Sequence, residues 1–139
     1  MTFNKTTTYA LMILTHMAKH PDVNVSATLL SRELKIPLQY CRRILTDLTN
    51  KDLLRSIHGR KGGFVLVRPS AEIFVSEIVE AFEGFTNVHR CIMGFENCPV
   101  EKGSHCVLHT SFDSARKQFV SILRNTTLDN FILDDGAIS

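Results

Sequence analysis

Six residues, His58-Gly59-Arg60-Lys61-Gly62-Gly63, constrain the fold of this chain more than any other stretch. They separate two short apolar runs, Leu53 to Ile57 and Phe64 to Val67. Three glycines in a charged connection between two such runs specify a β-hairpin, because the tight reversal needs backbone angles that a side chain obstructs. What precedes the hairpin is helical. Ala10, Ile13, Leu14 and Met17 recur at helical spacing within Thr6 to Lys19, and Pro21 ends that run. Ser26 suits the N-cap of a second helix carrying Leu29, Leu30 and Leu34 on its inner face. Lys35-Ile36-Pro37 is a tight break before a third helix, from about Leu38 to Asn50. Its inward residues are Cys41, Ile44, Leu45 and Leu48, and Gln39, Arg42, Arg43 and Thr46 point outward.

Helix, short break, helix and two-stranded wing follow the order of a winged helix-turn-helix. The expected fold is mainly α with a small β-wing, completed by a long C-terminal helix. Pro69 and Ser70 lead into a helix over about Val75 to Glu83, which Gly84 ends. From Asn87 to about His105 no period is sustained, and Gly94, Pro99 and Gly103 mark a loop. Beyond it Leu108, Phe112, Ala115, Phe119 and Ile122 fall at spacings of four, three, four and three. That seam suits a helix packed on its own domain or one crossing a second copy, and a module that reads palindromes favours the second. Leu128, Phe131 and Ile132 are placed to dock the C-terminus. The expected organisation is a winged module with its following helix over 1–84, a cysteine-bearing loop over 85–105, a dimerisation helix and docking segment over 106–133, and a flexible tail over 134–139.

The net charge of +2 conceals an asymmetry. Between Arg32 and Arg68 nine Lys and Arg face three acids, Glu33, Asp47 and Asp52; between Pro69 and Ser139 five face ten. The first segment suits a polyanion and the second does not. No stretch reaches the roughly 18 apolar residues of a membrane span. The run Tyr9 to Ala18 is interrupted by Thr15 and His16 and lacks a cleavage-site pattern, so a cytoplasmic protein is expected.

Long side chains tipped with hydrogen-bonding groups can reach base edges. Arg42 and Arg43 suit guanine and Gln39 suits adenine, with Tyr40 and Thr46 placed for phosphate. On the wing, His58, Arg60 and Lys61 sit on a ribbon narrow enough to enter a minor groove or grip the backbone. Gly62 and Gly63 serve the turn. The expected partner is double-stranded DNA with a palindromic operator.

Cys91, Cys98 and Cys106 lie within sixteen residues, and His109 follows three positions after the last. Three thiolates and an imidazole on one glycine-bearing segment suit an iron–sulphur cluster or zinc equally well, and a metal-free redox disulfide is a third option. His89 and His105 are near enough to substitute for His109. Cys41, on the inward face of the third helix, reads as a core residue. No CxxC pair or substrate-binding signature points to an enzyme.

The residues Tyr9-Ala10, Ile36 to Leu45, GRKGGFVLVRP from Gly59 to Pro69 and SEIVEAFEG from Ser76 to Gly84, followed by three cysteines and a long helix, resemble the Rrf-type winged-helix repressors. The resemblance spans about Phe3 to Ile132. It implies a homodimer that reads a palindrome, with iron–sulphur ligands at Cys91, Cys98 and Cys106. Among the IscR-, NsrR- and RirA-like branches, His109 matches the histidine of the IscR-like one, which favours a 2Fe–2S cluster over 4Fe–4S. Thr8 stands where the NsrR-like branch supplies a carboxylate. The gaps between cysteines are longer than is usual in the family. His58 replaces a frequent wing arginine, and Arg42 and Arg43 replace the usual acid and amide, so an operator different from the standard one is implied.

Overall fold

A computed structural model describes residues 2–85, 91–96, 100, 103 and 105–131. Its elements are α1 (Lys5–Lys19), α2 (Ala27–Leu34), α3 (Leu38–Asn50), β1 (Leu54–Ile57), β2 (Gly63–Leu66), a short 3-10 turn (Ser70–Glu72), α4 (Val75–Phe82) and α5 (Val107–Asn125). None of the helices is long and apolar enough to cross a membrane, among the described residues.

Each start and stop has a local cause. Asn4 caps α1, its side-chain oxygen accepting from the Thr7 amide at 2.8 Å. Ser26 does the same for α2 through the Leu29 amide at 3.1 Å. The α2–α3 break turns on Lys35, which takes the left-handed conformation (φ 56°). The Ile36 amide then reaches back to the Ser31 carbonyl at 3.1 Å, and the Ser31 hydroxyl donates to the Ile36 carbonyl at 2.6 Å. Asp52 repeats the device at the end of α3 with φ 59°, and the Leu53 amide closes on the Leu48 carbonyl at 3.0 Å. That bond uses the Leu53 amide, while its carbonyl still accepts from the Val67 amide at 3.2 Å, and β1 proper starts at Leu54, one residue later than the sequence suggests.

The two strands pair antiparallel, with Ile57 opposite Gly63 and Leu54 opposite Leu66. The backbone of Val25, just before α2, joins the outer side of β2. It donates to the Phe64 carbonyl at 3.2 Å and accepts from the Phe64 amide at 2.8 Å. A Cβ on Gly63 would stand 2.7 Å from the Val25 carbonyl oxygen, and one on Gly62 only 2.3 Å from that of Ile57. Both positions require glycine, and Gly63, paired with Ile57, belongs to the strand rather than to the turn.

The core gathers Ile13 and Leu14 of α1, Leu30 of α2, Ile44, Leu45 and Leu48 of α3, Ile78 of α4, and Leu128, all buried. Each such side chain stabilises the fold by roughly 1.5–3 kcal/mol relative to exposure. Helix α1 is more enclosed than its periodicity suggests, because Leu11, Met12, Thr7 and Thr15 are buried as well. It lies at the centre, in contact with α2, α3, α4 and β2, so it has no fully wet face.

Past α5 the chain returns to the core. The Thr126 carbonyl accepts from the Val75 amide at 2.9 Å, and the Leu128 amide donates to the Ile73 carbonyl at 2.7 Å. Leu128 is sealed and Phe131 packs against the core. Ile132 and the tail 134–139 lie outside the described residues.

Candidate nucleic-acid interface and cysteine segment

Four exposed residues, Gln39, Arg42, Arg43 and Thr46, occupy the face of α3 opposite its buried stripe of Cys41, Ile44, Leu45 and Leu48. The buried stripe is what aims them, because one rigid helix cannot roll without unpacking it. Thr46 also donates to the Arg42 carbonyl at 3.0 Å, which leaves the hydroxyl oxygen open as an acceptor. Tyr40 is placed differently. Its hydroxyl pairs with that of Thr6 on α1, and its ring meets Tyr9 edge-on at 5.5 Å. It lies half-buried on the flank of α3, tying that helix to α1, rather than on the open face.

On the wing, His58, Arg60 and Lys61 are all exposed at the tip. The Gly62 amide closes the turn on the Gly59 carbonyl at 3.0 Å. Asn24, which belongs to no motif, donates its side-chain amide to the Lys61 carbonyl at 2.8 Å. Together with the Val25–Phe64 pairing, this moors the tip to the α1–α2 connection. Only the folded chain brings Asn24 to Lys61, thirty-seven positions further along, so no local pattern announces the contact. At the base of the wing, Arg68 donates to a Glu77 carboxylate oxygen at 2.6 Å, and the other oxygen of Glu77 accepts from the Phe74 amide at 2.9 Å. The end of β2 is thereby linked to the first turn of α4.

Of the candidate ligands, Cys91 and Cys106 are half-buried, and Cys98 lies outside the described residues, as does His89. Cys106 is the N-cap of α5 and makes no side-chain cap bond there, while His109 sits one turn in, half-buried. His105 is exposed. Among the described residues no three His, Cys, Asp or Glu side chains meet as a metal-holding group, so Cys91, Cys106 and His109 do not form one by themselves. Their chemistry, two partly sheltered thiols and an imidazole, is that of an iron–sulphur or zinc donor set. Asp113, one turn beyond His109, is held below the usual carboxylate range, first by its hydrogen bond with Lys117 at 3.0 Å, with a smaller contribution from the charge of His109. Thr8 spends its hydroxyl on the Asn4 carbonyl at 3.1 Å. Cys41 is fully buried in the core, and burial pushes its thiol up from the ordinary value.

Among the described residues, helix α5 is docked along one side. Arg116 and Leu123 are buried, and Phe119 packs on the core, 6.1 Å from the ring of Phe3. The remainder of the predicted seam divides: Phe112 is half-buried, whereas Leu108, Ala115 and Ile122 are exposed, and Val107 beside them is 70% exposed.

A five-helix chain with a two-stranded wing and a polar open face on α3 defines a winged-helix DNA-binding protein. The chain belongs to the Rrf2 family, whose model, described as an iron-dependent transcriptional regulator, matches residues 3–134. It is 26% identical to the HTH-type transcriptional regulator NsrR of Oceanobacillus iheyensis over 137 residues, 97% of this chain and 92% of that one. With the HTH-type transcriptional regulator IscR of Xenorhabdus nematophila it shares 26% over 125 residues, 89% of this chain and 74% of that one. Its fold is similar to that of CymR, the global cysteine regulator of Bacillus subtilis, at a TM-score of 0.75 and 21% identity, covering 94% of this chain and 95% of that one. The protein is thus a DNA-binding transcriptional regulator, a class distinct from enzymes.

Proposed function

We propose that this regulator is a homodimeric repressor whose grip on a palindromic operator responds to an iron–sulphur cluster held by Cys91, Cys98, Cys106 and His109. The observation that carries the DNA half is the row of Gln39, Arg42, Arg43 and Thr46 standing exposed on a helix whose opposite face is locked in the core. Arg42 and Arg43 read guanines in the major groove, Gln39 reads adenine, and Thr46 meets phosphate. His58, Arg60 and Lys61 grip the adjacent backbone or minor groove from the moored wing. Tyr40 acts by holding α3 against α1, within reach of phosphate only at its edge.

The sensing half is supported by the thiol–imidazole donor set and by the resemblance to the IscR-like branch. A 2Fe–2S cluster is favoured and 4Fe–4S is the variant; bound there, such a group supplies a change of charge and ligation on oxidation, nitrosylation or loss. The response to that change lies in the protein. Cys106 occupies the N-cap position of α5, so any change of its ligation bears directly on where α5 begins. The exposed stripe of Leu108, Ala115 and Ile122 supplies the contact between two copies. A shift of α5 alters the separation of the two modules, which must match successive major-groove turns about 34–36 Å apart.

The test is anaerobic purification, then a visible spectrum, iron and sulphide quantitation, and operator affinity of loaded and stripped protein at one fixed salt concentration. The expected result is a coloured protein whose two forms differ in affinity. A colourless, zinc-containing protein points instead to a zinc-stabilised regulator, and equal affinities reject sensing.

A further inference from the structure

Beside α3, on the flank turned toward α1 and α4, lies a cavity of about 370 Å³. Arg43, Asp47 and Tyr40 of α3 and Lys51 at its C-cap line it, Thr6 lines it from α1, and Ile44 and Phe82 give it apolar surface. The three charged residues are spaced by four, so they form one stripe of alternating sign along the helix. Neighbours at that spacing ordinarily pair. Here, among the described residues, none of the three is ion-paired with another. They line the cavity as separate cation, anion and cation. The backbone of Lys51 is roughly 12 Å from that of Arg43 along the helix axis, a span two long side chains can close onto a small molecule.

The order of charges selects the ligand. A phosphate would find Asp47 between its two cations, and the carboxylate of Glu83 accepts from the amide of Asn4, a lining residue, at 2.8 Å. An uncharged apolar molecule would strip water from three charged groups without replacing it. A molecule that is negative at both ends and positive near the middle satisfies all three. We propose that this cavity binds a small amino acid with two carboxylates, its ammonium on Asp47 and its carboxylates on Arg43 and Lys51. The volume lies at the lower end of small-molecule pockets, as such a ligand requires.

Arg43 belongs both to this cavity and to the open face of α3. Ligand and operator therefore compete for one guanidinium, and each weakens the other by the same factor. This competition rests on the DNA-reading role of Arg43; the binding itself does not.

The experiment is isothermal titration of the DNA-free, full-length protein with L-aspartate, L-glutamate and L-2-aminoadipate, with glutarate as the control that keeps two carboxylates and lacks the ammonium. At least one amino acid should bind saturably, and glutarate at least tenfold more weakly. Asp47→Asn and Lys51→Ala should each weaken that binding at least tenfold while circular dichroism and melting remain those of the parent. Glutarate binding as tightly as the amino acids, or no saturable heat from any of the three, overturns the site. Operator affinity measured with and without the bound amino acid tests the competition: a fall is expected, and an unchanged value overturns that part while the titration stands.

Discussion

In the winged module Ile13, Leu14, Leu45 and Ile78 are sealed from solvent on all sides, whereas along α5 only Arg116 and Leu123 are buried and Ile122 remains 55% exposed. The module buries most of its large apolar side chains, with Val23, Val67 and Phe74 left exposed, whereas α5 leaves Val107, Leu108 and Ile122 exposed along one helix. The difference locates two kinds of work. The residues proposed to read DNA stand on a support that resists deformation. The element beyond the cysteines is held by fewer contacts and can move at lower cost.

The contrast can be broken at several points, of which the core comes first. Leu45→Ala should cost about 2–5 kcal/mol in denaturant unfolding and weaken DNA binding only through loss of folded protein. A cost below about 1 kcal/mol would mean the module is less tightly packed than its burial implies. Gly63→Ala drives a methyl group toward the Val25 carbonyl and should displace the wing, at about 1–3 kcal/mol in stability. Operator affinity should fall with it, and an unchanged affinity would dissociate the wing from DNA binding.

Arg42→Ala tests the open face directly. It should weaken operator binding by about 1–3 kcal/mol and relax the preference at one base pair, as read by competition with substituted sites. Arg60→Ala should instead weaken binding to all sequences alike and flatten the salt dependence by about one counterion. Were the two variants to behave alike, the division between base-reading helix and backbone-gripping wing would fail.

Smaller still is the pH effect of Cys41. Burial raises its thiol in the folded state, so folding keeps a proton that the unfolded chain releases near the ordinary value of 9.0. That contribution is complete below the ordinary value and declines as pH rises through and beyond it. Unfolding titrations across roughly pH 8 to 10 should show a loss of stability that is shallower in Cys41→Ala. The least stability effect belongs to α5: Ile122→Ser should change monomer stability by no more than about 0.5 kcal/mol. Its consequence should appear in self-association, measured by analytical ultracentrifugation. A large loss of monomer stability would show that the seam is internal.

Much of this architecture was legible because it is written locally. Helix period placed Cys41, Ile44, Leu45 and Leu48 inward on α3, and the Ser26 cap and the wing glycines stand where their chemistry predicts. The exposed row on α3 came from the same period. The mooring of Lys61 by Asn24, the Arg68–Glu77 tie and the withdrawal of Tyr40 onto Thr6 did not, since each joins residues that only folding brings together.

From the chain alone came the order of elements, the exposed face proposed to read DNA and the four candidate ligands, because side-chain period, glycine geometry and donor chemistry act over a few residues. The tertiary structure decided which polar groups are consumed internally and which remain available. It also decided that α1 is packed against α2, α3, α4 and β2, and that a line of alternating charges along α3 borders a cavity. Those outcomes depend on what packs against each face, and packing joins residues far apart in sequence.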